Sequence, residues 1–444
     1  MKMSFKEYFE SIADFMLSEL LEGEKISISF SGEKSYFMRF SKAKVRQNGM
    51  VDQGYFSCTF WKKNRTHDFR FGIQMSMEKD KRMAAEALQE ARDSIMLLPE
   101  DKYQSIPEAS QTSSAIYTGK LLPEDKIPET ILSPVKDLDF AGLYSQGLIC
   151  KGVITSAGAS HWFQTETFVL DYSVWLENGR GIKSLYSGTE WSDAQYKLKI
   201  EQARKGLEVL HTPQKKLAPG KYKAFISADA LLDVTDFFSW NGFSERSMQQ
   251  GSSAYLALKE GREHFSDKFN LTQDFSLGLE PAFNSNGELA PEKLSIIEKG
   301  KLKNTLVSLR TETQYGVKSN GAPLSESMRS IVIGTGNLNE ADAVKELGTG
   351  IYISNFNYLN WSDTSSARVT GMTRFACLWV EDGKIVAPIA DMRWDESLYN
   401  MFGENLLAVT KESRIFANTG TYGRRSTGGA SLPGILVKDF NCTL

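Results

Sequence analysis

Ile26-Ser27-Ile28-Ser29-Phe30 is the stretch that decides the fold. Apolar residues alternate with serine, the period of two expected of a strand with one face in a core and one polar. Further strand signals follow: Phe37-Met38-Arg39-Phe40, an Asn48-Gly49 pair that reads as a turn, Tyr55–Trp61 and Phe69-Arg70-Phe71. Together they predict a meander of short antiparallel strands. Helical patterns flank it. Ser4 and Glu7 have capping-box spacing ahead of Phe5, Phe9, Ile12, Phe15, Met16 and Leu20, with Gly23 as a plausible stop. On the other side Ala84, Leu88, Ala91, Ile95 and Leu98 share one helical face. The prediction is a compact α+β unit over residues 1–98.

Working outward, residues 99–134 change character. Five of the twelve prolines (Pro99, Pro107, Pro123, Pro128, Pro134) fall there among Glu, Ser, Thr and Lys, which reads as an exposed connection, with an active-site lid as the alternative. A middle α+β block over 135–215 carries strands Gly147–Thr155 and Trp162–Trp175, then a helix with Trp191, Ala194, Leu198, Ala203, Leu207 and Leu210 on one face. Residues 220–444 begin with a strand at Tyr222–Ile226 and helical stretches near 228–239 and 252–260; many strands follow. Three Glu-x-Gly-basic segments, at 177–180, 298–301 and 381–384, read as hairpin turns. The expected class is α+β: an N-terminal α+β part with an antiparallel strand meander and flanking helices, then a C-terminal, largely β domain with a few helices.

Composition sets outer limits. At roughly 150 residues per domain, 444 residues predict two or three domains. Apolar residues are 41% and charged residues 24%, so the chain has ample material for a core. Lys and Arg number 52 against 55 Asp and Glu, a balance that gives no general pull toward nucleic acid or anionic lipid. The start, Met1–Glu7, has no apolar core of a signal peptide behind it, and no run approaches the ~18 apolar residues of a membrane span. Cys58, Cys150, Cys377 and Cys442 are scattered, which predicts free thiols in a reducing compartment, the cytoplasm.

The residues alone name no chemistry. His67, His161, His211 and His264 are too far apart in sequence for a helical zinc pair. Gly334-Thr335-Gly336 and Gly348-Thr349-Gly350 lack the rest of a phosphate-binding motif, and Gly348 reads as the cap of a helix over 340–347. No Gly-x-Ser-x-Gly elbow is present. The cluster Phe237-Phe238-Ser239-Trp240-Asn241-Gly242-Phe243 fits either core packing at a helix end or a groove for peptide side chains. Arg424-Arg425 reads either as a carboxylate clamp or as a solvated hairpin tip.

Longer blocks carry a resemblance. Gly278–Glu288, Ile296–Leu306, Tyr315–Gly321, Glu346–Ile353 and Gly371–Ile385, in that order and spacing, resemble the TldD/PmbA family. Its proteins have been called modulators of DNA gyrase. The role that the resemblance implies is a zinc-dependent peptidase acting on small, poorly folded peptides, assembled from a TldD-type and a PmbA (TldE)-type chain. The TldD type carries His-Glu-x-x-x-His on a helix and a late Cys as metal ligands. The matching segment here, Asp236–Met248, has no histidine, and the late position near Arg424–Ala430 has no cysteine. The resemblance is therefore to the PmbA/TldE side.

It implies a non-metal-binding subunit of a two-chain peptidase. No cofactor is expected in this chain, zinc being expected in a TldD-type partner. The other expected associations are an extended peptide and a possible homodimer, with no direct nucleic acid and no membrane. Asn241, Glu245 and Arg246 are the candidate peptide-cleft residues, against a plain solvated helix surface; no catalytic or metal residue is assigned. The alternatives are a self-sufficient hydrolase with an unconventional site and a non-enzymatic regulator of DNA gyrase.

Overall fold

The alternation that begins at Ile26 runs well past Phe30. In the computed structural model, which describes residues 3–104, 108 and 110–443, β1 spans Lys25–Ser41 and β2 spans Lys44–Lys62 as one long antiparallel pair. The chain reverses at Lys42-Ala43, both with φ of 51°. Asn48-Gly49 is not a turn: it lies inside β2, opposite Met38 and Phe37. A Cβ on Gly49 would stand 3.0 Å from the Phe37 ring, so this glycine makes room for a side chain rather than for a reversal.

The first sheet is completed by β3 (Arg65–Gly72), β4 (Thr112–Tyr117), β5 (Asp139–Thr155), β6 (Ser160–Trp175) and β7 (Gly181–Gly188). Its order is β3-β2-β1-β5-β6-β4, with β7 also on β6, and only β4 runs parallel to its neighbour. Helices cover one face: α1 (Phe5–Ser18), α2 (Met77–Ile95), α3 (Ile127–Leu132) and α4 (Asp193–Leu210). The Ser4–Glu7 capping box forms, with each residue bonding the other's backbone. The helix stops at Ser18, so Gly23 (φ 78°) shapes the turn beyond it rather than capping it.

Even-numbered residues of β1 point into the helices. Ile26, Ile28 and Phe30 pack with Phe56, Phe60, Phe9 and Leu88. Further along, Met38 and Phe40 join Phe140, Tyr144, Phe168 and the buried stripe of α4. The stretch 99–134 carries β4 and α3, and Ile127 and Ile131 are fully buried; Pro107 lies outside the described residues.

The second sheet begins with β8 (Gly220–Ile226), β9 (Leu271–Asp274), β10 (Lys293–Glu298), β11 (Lys301–Leu302) and β12 (Ser330–Ile333). It continues through β13 (Gly350–Ile353), β14 (Asn355–Asp363), β15 (Arg368–Arg374), β16 (Leu378–Glu381) and β17 (Lys384–Pro388). It closes with β18 (Arg393–Ser397), β19 (Leu406–Ala417) and β20 (Gly429–Cys442). β20 is its hub, pairing with β8, β12, β18 and β19. The three Glu-x-Gly-basic segments close the β6–β7, β10–β11 and β16–β17 hairpins, with Gly179, Gly300 and Gly383 at positive φ. The molecule is an α+β protein. No helix among the described residues is long and apolar enough to cross a membrane, and all four cysteines are free and buried.

The odd-numbered residues of β1 meet the second unit. Ser27 Oγ donates to the Ser285 carbonyl at 2.5 Å, and Lys151 on β5 pairs with Glu280 at 2.9 Å. His161 on β6 touches Ser113 Oγ through Nδ1 and the Gly287 carbonyl through Nε2. A carbonyl can only accept, so the proton sits on Nε2; burial holds the ring's pKa below its usual value and keeps it neutral.

Arg425 ties the units most firmly. Its Nη1 donates to Ser35 Oγ and the Gly147 carbonyl, both at 3.2 Å. Nη2 donates to Thr167 O at 2.9 Å and Thr167 Oγ1 at 2.6 Å. Its backbone N–H donates to Glu33. Burial lowers its pKa to about 10 against the pull of Glu33, so it stays charged at neutral pH. Arg424 lies outside, its guanidinium 3.8 Å from the Tyr55 ring centre. The loop is thus neither a solvated tip nor an open clamp. Arg425→Ala is expected to lower stability by about 2–4 kcal/mol, as a buried, multiply bonded guanidinium is lost. Arg424→Ala should cost less than about 1 kcal/mol. Urea titration of both variants checks this; equal losses would contradict the assignment.

Candidate functional site

Ser227 starts α5 (Ala228–Val234) by accepting from the Ala230 N–H. The helix runs on into a 3-10 turn at Thr235–Phe238. Ala228, Leu231 and Val234 bury one side of it. Asp229, Asp233 and Asp236 are spaced i, i+4, i+7, which sets three carboxylates in a row on one face.

That row lines a cavity of ≈ 340 Å³ between the two units. The first sheet contributes Asp171 and Leu185, with Lys183, and the opposite wall is Asn355–Leu359 of β14. Trp240 and Phe237 form an aromatic corner, ring centres 5.8 Å apart. A second cavity of ≈ 440 Å³ adjoins it, sharing Leu232, Asp233, Asp236 and Thr419, and reaches Lys151, Glu280, Arg329 and Thr427. The two make one cleft, open where the polar face of the first sheet parts from the second unit.

Charge in the cleft is unevenly matched. Asp229 is bound by Arg414 at 2.6 Å, and Arg414 also holds Glu340. Asp171 stands 3.6 Å from Lys183. Among the described residues, no side chain forms an ion pair or hydrogen bond with the carboxylates of Asp233 and Asp236. Asp233 is open to the cleft but walled by protein. Burial raises its pKa to about 6; Lys183 opposes the rise, and the charges of Asp236, Asp229 and Asp171 add to it. Burial also raises Asp236. The pKa of Asp171 is raised by burial and by Asp229, against Lys183.

Asn241, Glu245 and Arg246 lie to one side. Asn241 is exposed, at φ 50°, just past Trp240. Glu245 is buried at the start of α6 (Glu245–Gln249), bonded to Lys259, Thr305 and Gln249. Burial opposes its ionisation, but the Lys259 bond and its other donors keep its pKa below the usual value. Arg246 donates its backbone N–H to Glu326. None of the three lines the cleft, whereas their neighbours Asp236, Phe237 and Trp240 do. The aromatic cluster divides: Phe238 and Phe243 are core, Trp240 is cleft wall, and Phe237, buried in the core, reaches the cleft at its edge. The missed residues, Asp229, Asp233 and Asp236, had a readable sign in their helical spacing.

Zinc sites favour imidazole and thiolate donors. The cleft offers carboxylates and carboxamides, and the donors at this place do not fit such a centre. Among the described residues, no group of three or more His, Cys, Asp or Glu stands close enough to hold a metal ion.

Asp233 makes stability depend on pH. Its folded pKa lies above the unfolded value of 3.8, so its contribution is fully present below pH 3.8 and is lost as pH rises through about 6. Asp233→Asn is expected to raise the thermal midpoint relative to the parent at pH 8 and to leave the difference near zero at pH 4. A difference that does not vary with pH would refute this.

The comparisons with known proteins agree with one another. The family model for the PmbA/TldA metallopeptidase C-terminal domain matches residues 219–444. A Thermotoga maritima protein proposed to modulate a DNA gyrase superposes with TM-score 0.76 at 17% identity, covering 99% of this chain and 100% of its own. TldE from Thermococcus kodakarensis does so with TM-score 0.75 at 14% identity, covering 98% and 99%. A Bacteroides thetaiotaomicron protein, also proposed to modulate DNA gyrase, gives TM-score 0.75 at 17% identity, covering 99% and 98%. No curated protein matches by sequence. At these identities the superpositions speak for the fold, and the family model, spanning more than half the chain, for descent: the chain belongs to the TldD/PmbA family of metallopeptidase-type proteins.

Proposed function

We propose that this chain is a PmbA/TldE-like subunit of a two-chain peptidase that processes small, unfolded peptides, with the hydrolytic zinc held by a TldD-type partner. The observation that carries the reading is the wall of the cleft. β14 pairs with β15 along one edge only, and among the described residues no strand takes the other. Asn355, Asn357, Tyr358 and Leu359 of that strand border the cavity. An extended peptide could add to such an edge through its backbone, which selects for unfolded chains and reads little sequence. Family membership supports the peptidase context. The missing histidines in Asp236–Met248 support the division of labour between two chains.

The chain would supply half of the enclosed groove, with segment 239–246 at its border; Asn241 and Arg246 are candidate contacts for peptide running beyond the cavity, and Glu245, buried beneath them, would hold the segment in place. Four free, buried cysteines suit a reducing compartment such as the cytoplasm. The parts 1–98, 99–134, 135–215 and 220–444 serve as working domain limits.

Purified chain, a purified TldD-type partner and their mixture, assayed on an unfolded peptide, test the proposal. Cleavage at least about tenfold faster in the mixture than in either component alone is the expected result. Equal cleavage by this chain alone would overturn it, as would no gain on mixing.

A further inference from the structure

We propose that the cleft selects its peptide by a large aromatic side chain, received by Tyr358, Phe375 and Trp240 while the peptide backbone adds to β14. The inference rests on the peptide-cleft reading and adds what the groove recognises.

The backbone supplies the first observation. Among the described residues, twelve other than glycine sit at positive φ, and two of them are aromatic: Tyr358 at 55° and Phe375 at 61°. A bulky side chain at such a φ crowds its own backbone and costs free energy. Lys42, Ala43, Lys63, Asn64, Lys299 and Asp382 stand at hairpin reversals, where the chain has to turn. Tyr358 lies inside a strand and Phe375 just past one, and both line the ≈ 340 Å³ cavity.

Tyr358 is the sharper case. On β14, Asn357 faces Met372 and Asn360 faces Thr370, so Tyr358 and Leu359 together oppose Gly371 as a β-bulge. Glycine normally takes the left-handed position of such a bulge. Leu359 packs against the core of the second unit, whereas Tyr358 is 85% exposed. Among the described residues its ring stacks on no other ring and its hydroxyl makes no hydrogen bond. Nothing inside the chain offsets the strain. Strained residues cluster where ligands bind, and bulges re-aim side chains beside active sites.

The second observation is independent of the first. Trp240 enters the same cavity from the wall across from β14, 49% exposed. It is held in place: its ring centre lies 6.4 Å from that of Trp361, whose Nε1 donates to the Trp240 carbonyl at 3.2 Å. Phe375 is braced in the same way, 5.9 Å from the Trp175 ring of the first sheet. Rings fixed on one side and open on the other are set to stack with a further ring.

The free edge of β14 decides what carries that ring. It takes an extended backbone, and alternate side chains of an added strand share one face. One peptide side chain is thus presented to the cavity, and three aromatic walls favour a ring over a small residue there. The carboxylates of Asp229, Asp233 and Asp236 line the same cavity and disfavour an acidic residue.

Three labelled peptides of equal length, acetylated and amidated, with Phe, Ala or Glu at the centre of a Ser/Thr host, test this. Binding is read by fluorescence anisotropy on the full chain, alone and mixed with a TldD-type partner. The Phe peptide should bind at least about tenfold tighter than the Ala peptide, and the Glu peptide no tighter than the Ala peptide. Tyr358→Gly should remove most of the preference and raise the thermal midpoint, because glycine takes the left-handed position without strain. Tyr358→Phe should keep the preference, and Trp240→Ala should weaken the Phe peptide more than the Ala peptide. A lower midpoint for Tyr358→Gly would place the ring in the fold rather than the site and overturn the inference. Equal binding of the Phe and Ala peptides would overturn it and leave the groove reading standing, as would a preference that survives both Tyr358→Gly and Trp240→Ala. Substitutions that loosen assembly with the partner while the preference stays intact would make the rings a partner contact, which also overturns it. No binding of any peptide would overturn both readings.

Discussion

A long strand that is covered on both faces must satisfy two different chemistries at once, and β1 does so by the alternation that starts at Ile26. Ile26, Ile28, Phe30, Met38 and Phe40 close the core under α1, α2, α3 and α4, while Lys34 between them is exposed. On the other face Ser27, Ser29, Glu33 and Ser35 meet the second unit. Serine serves here because it is small enough for close approach and can still donate where a buried polar group needs a partner. A slip of one residue would exchange the two faces, so the register of the whole first sheet hangs on this pattern. Arg425, reaching between β1, β5 and β6, locks the second unit onto that register.

The cleft is the place where this mating of faces stops. Around it the protein departs from its own rule of matching each charge. Like charges at i, i+4 on a helix weaken it, and the row on α5 is also partly desolvated. A short helix bears this because its other side, through Leu231 and Val234, is held in the core.

Much of the fold could be read in the residues. Alternation at Ile26–Phe30, the Ser4–Glu7 box and the three Glu-x-Gly-basic hairpins each depend on neighbours in sequence, and each formed. Asn48-Gly49 misled because its glycine answers to Phe37 across the strand pair, a contact that only the register reveals. Arg425 misled in the same way: its partners lie more than 250 residues away. The cleft was only half legible. Asp229, Asp233 and Asp236 are close in sequence, but the cavity they line is closed by Asp171 and Asn355, brought in from another sheet and another strand.

β20, the hub of the second sheet, comes last of its strands in sequence among the described residues. During synthesis the first sheet has all its strands once Gly188 has emerged, yet β20 starts only at Gly429. At about 5–20 residues per second, the interval is roughly ten to fifty seconds. Through that time the face that will receive the second unit stands open to other nascent chains. A greasy surface would invite them; a serine-lined one stays wetted and waits.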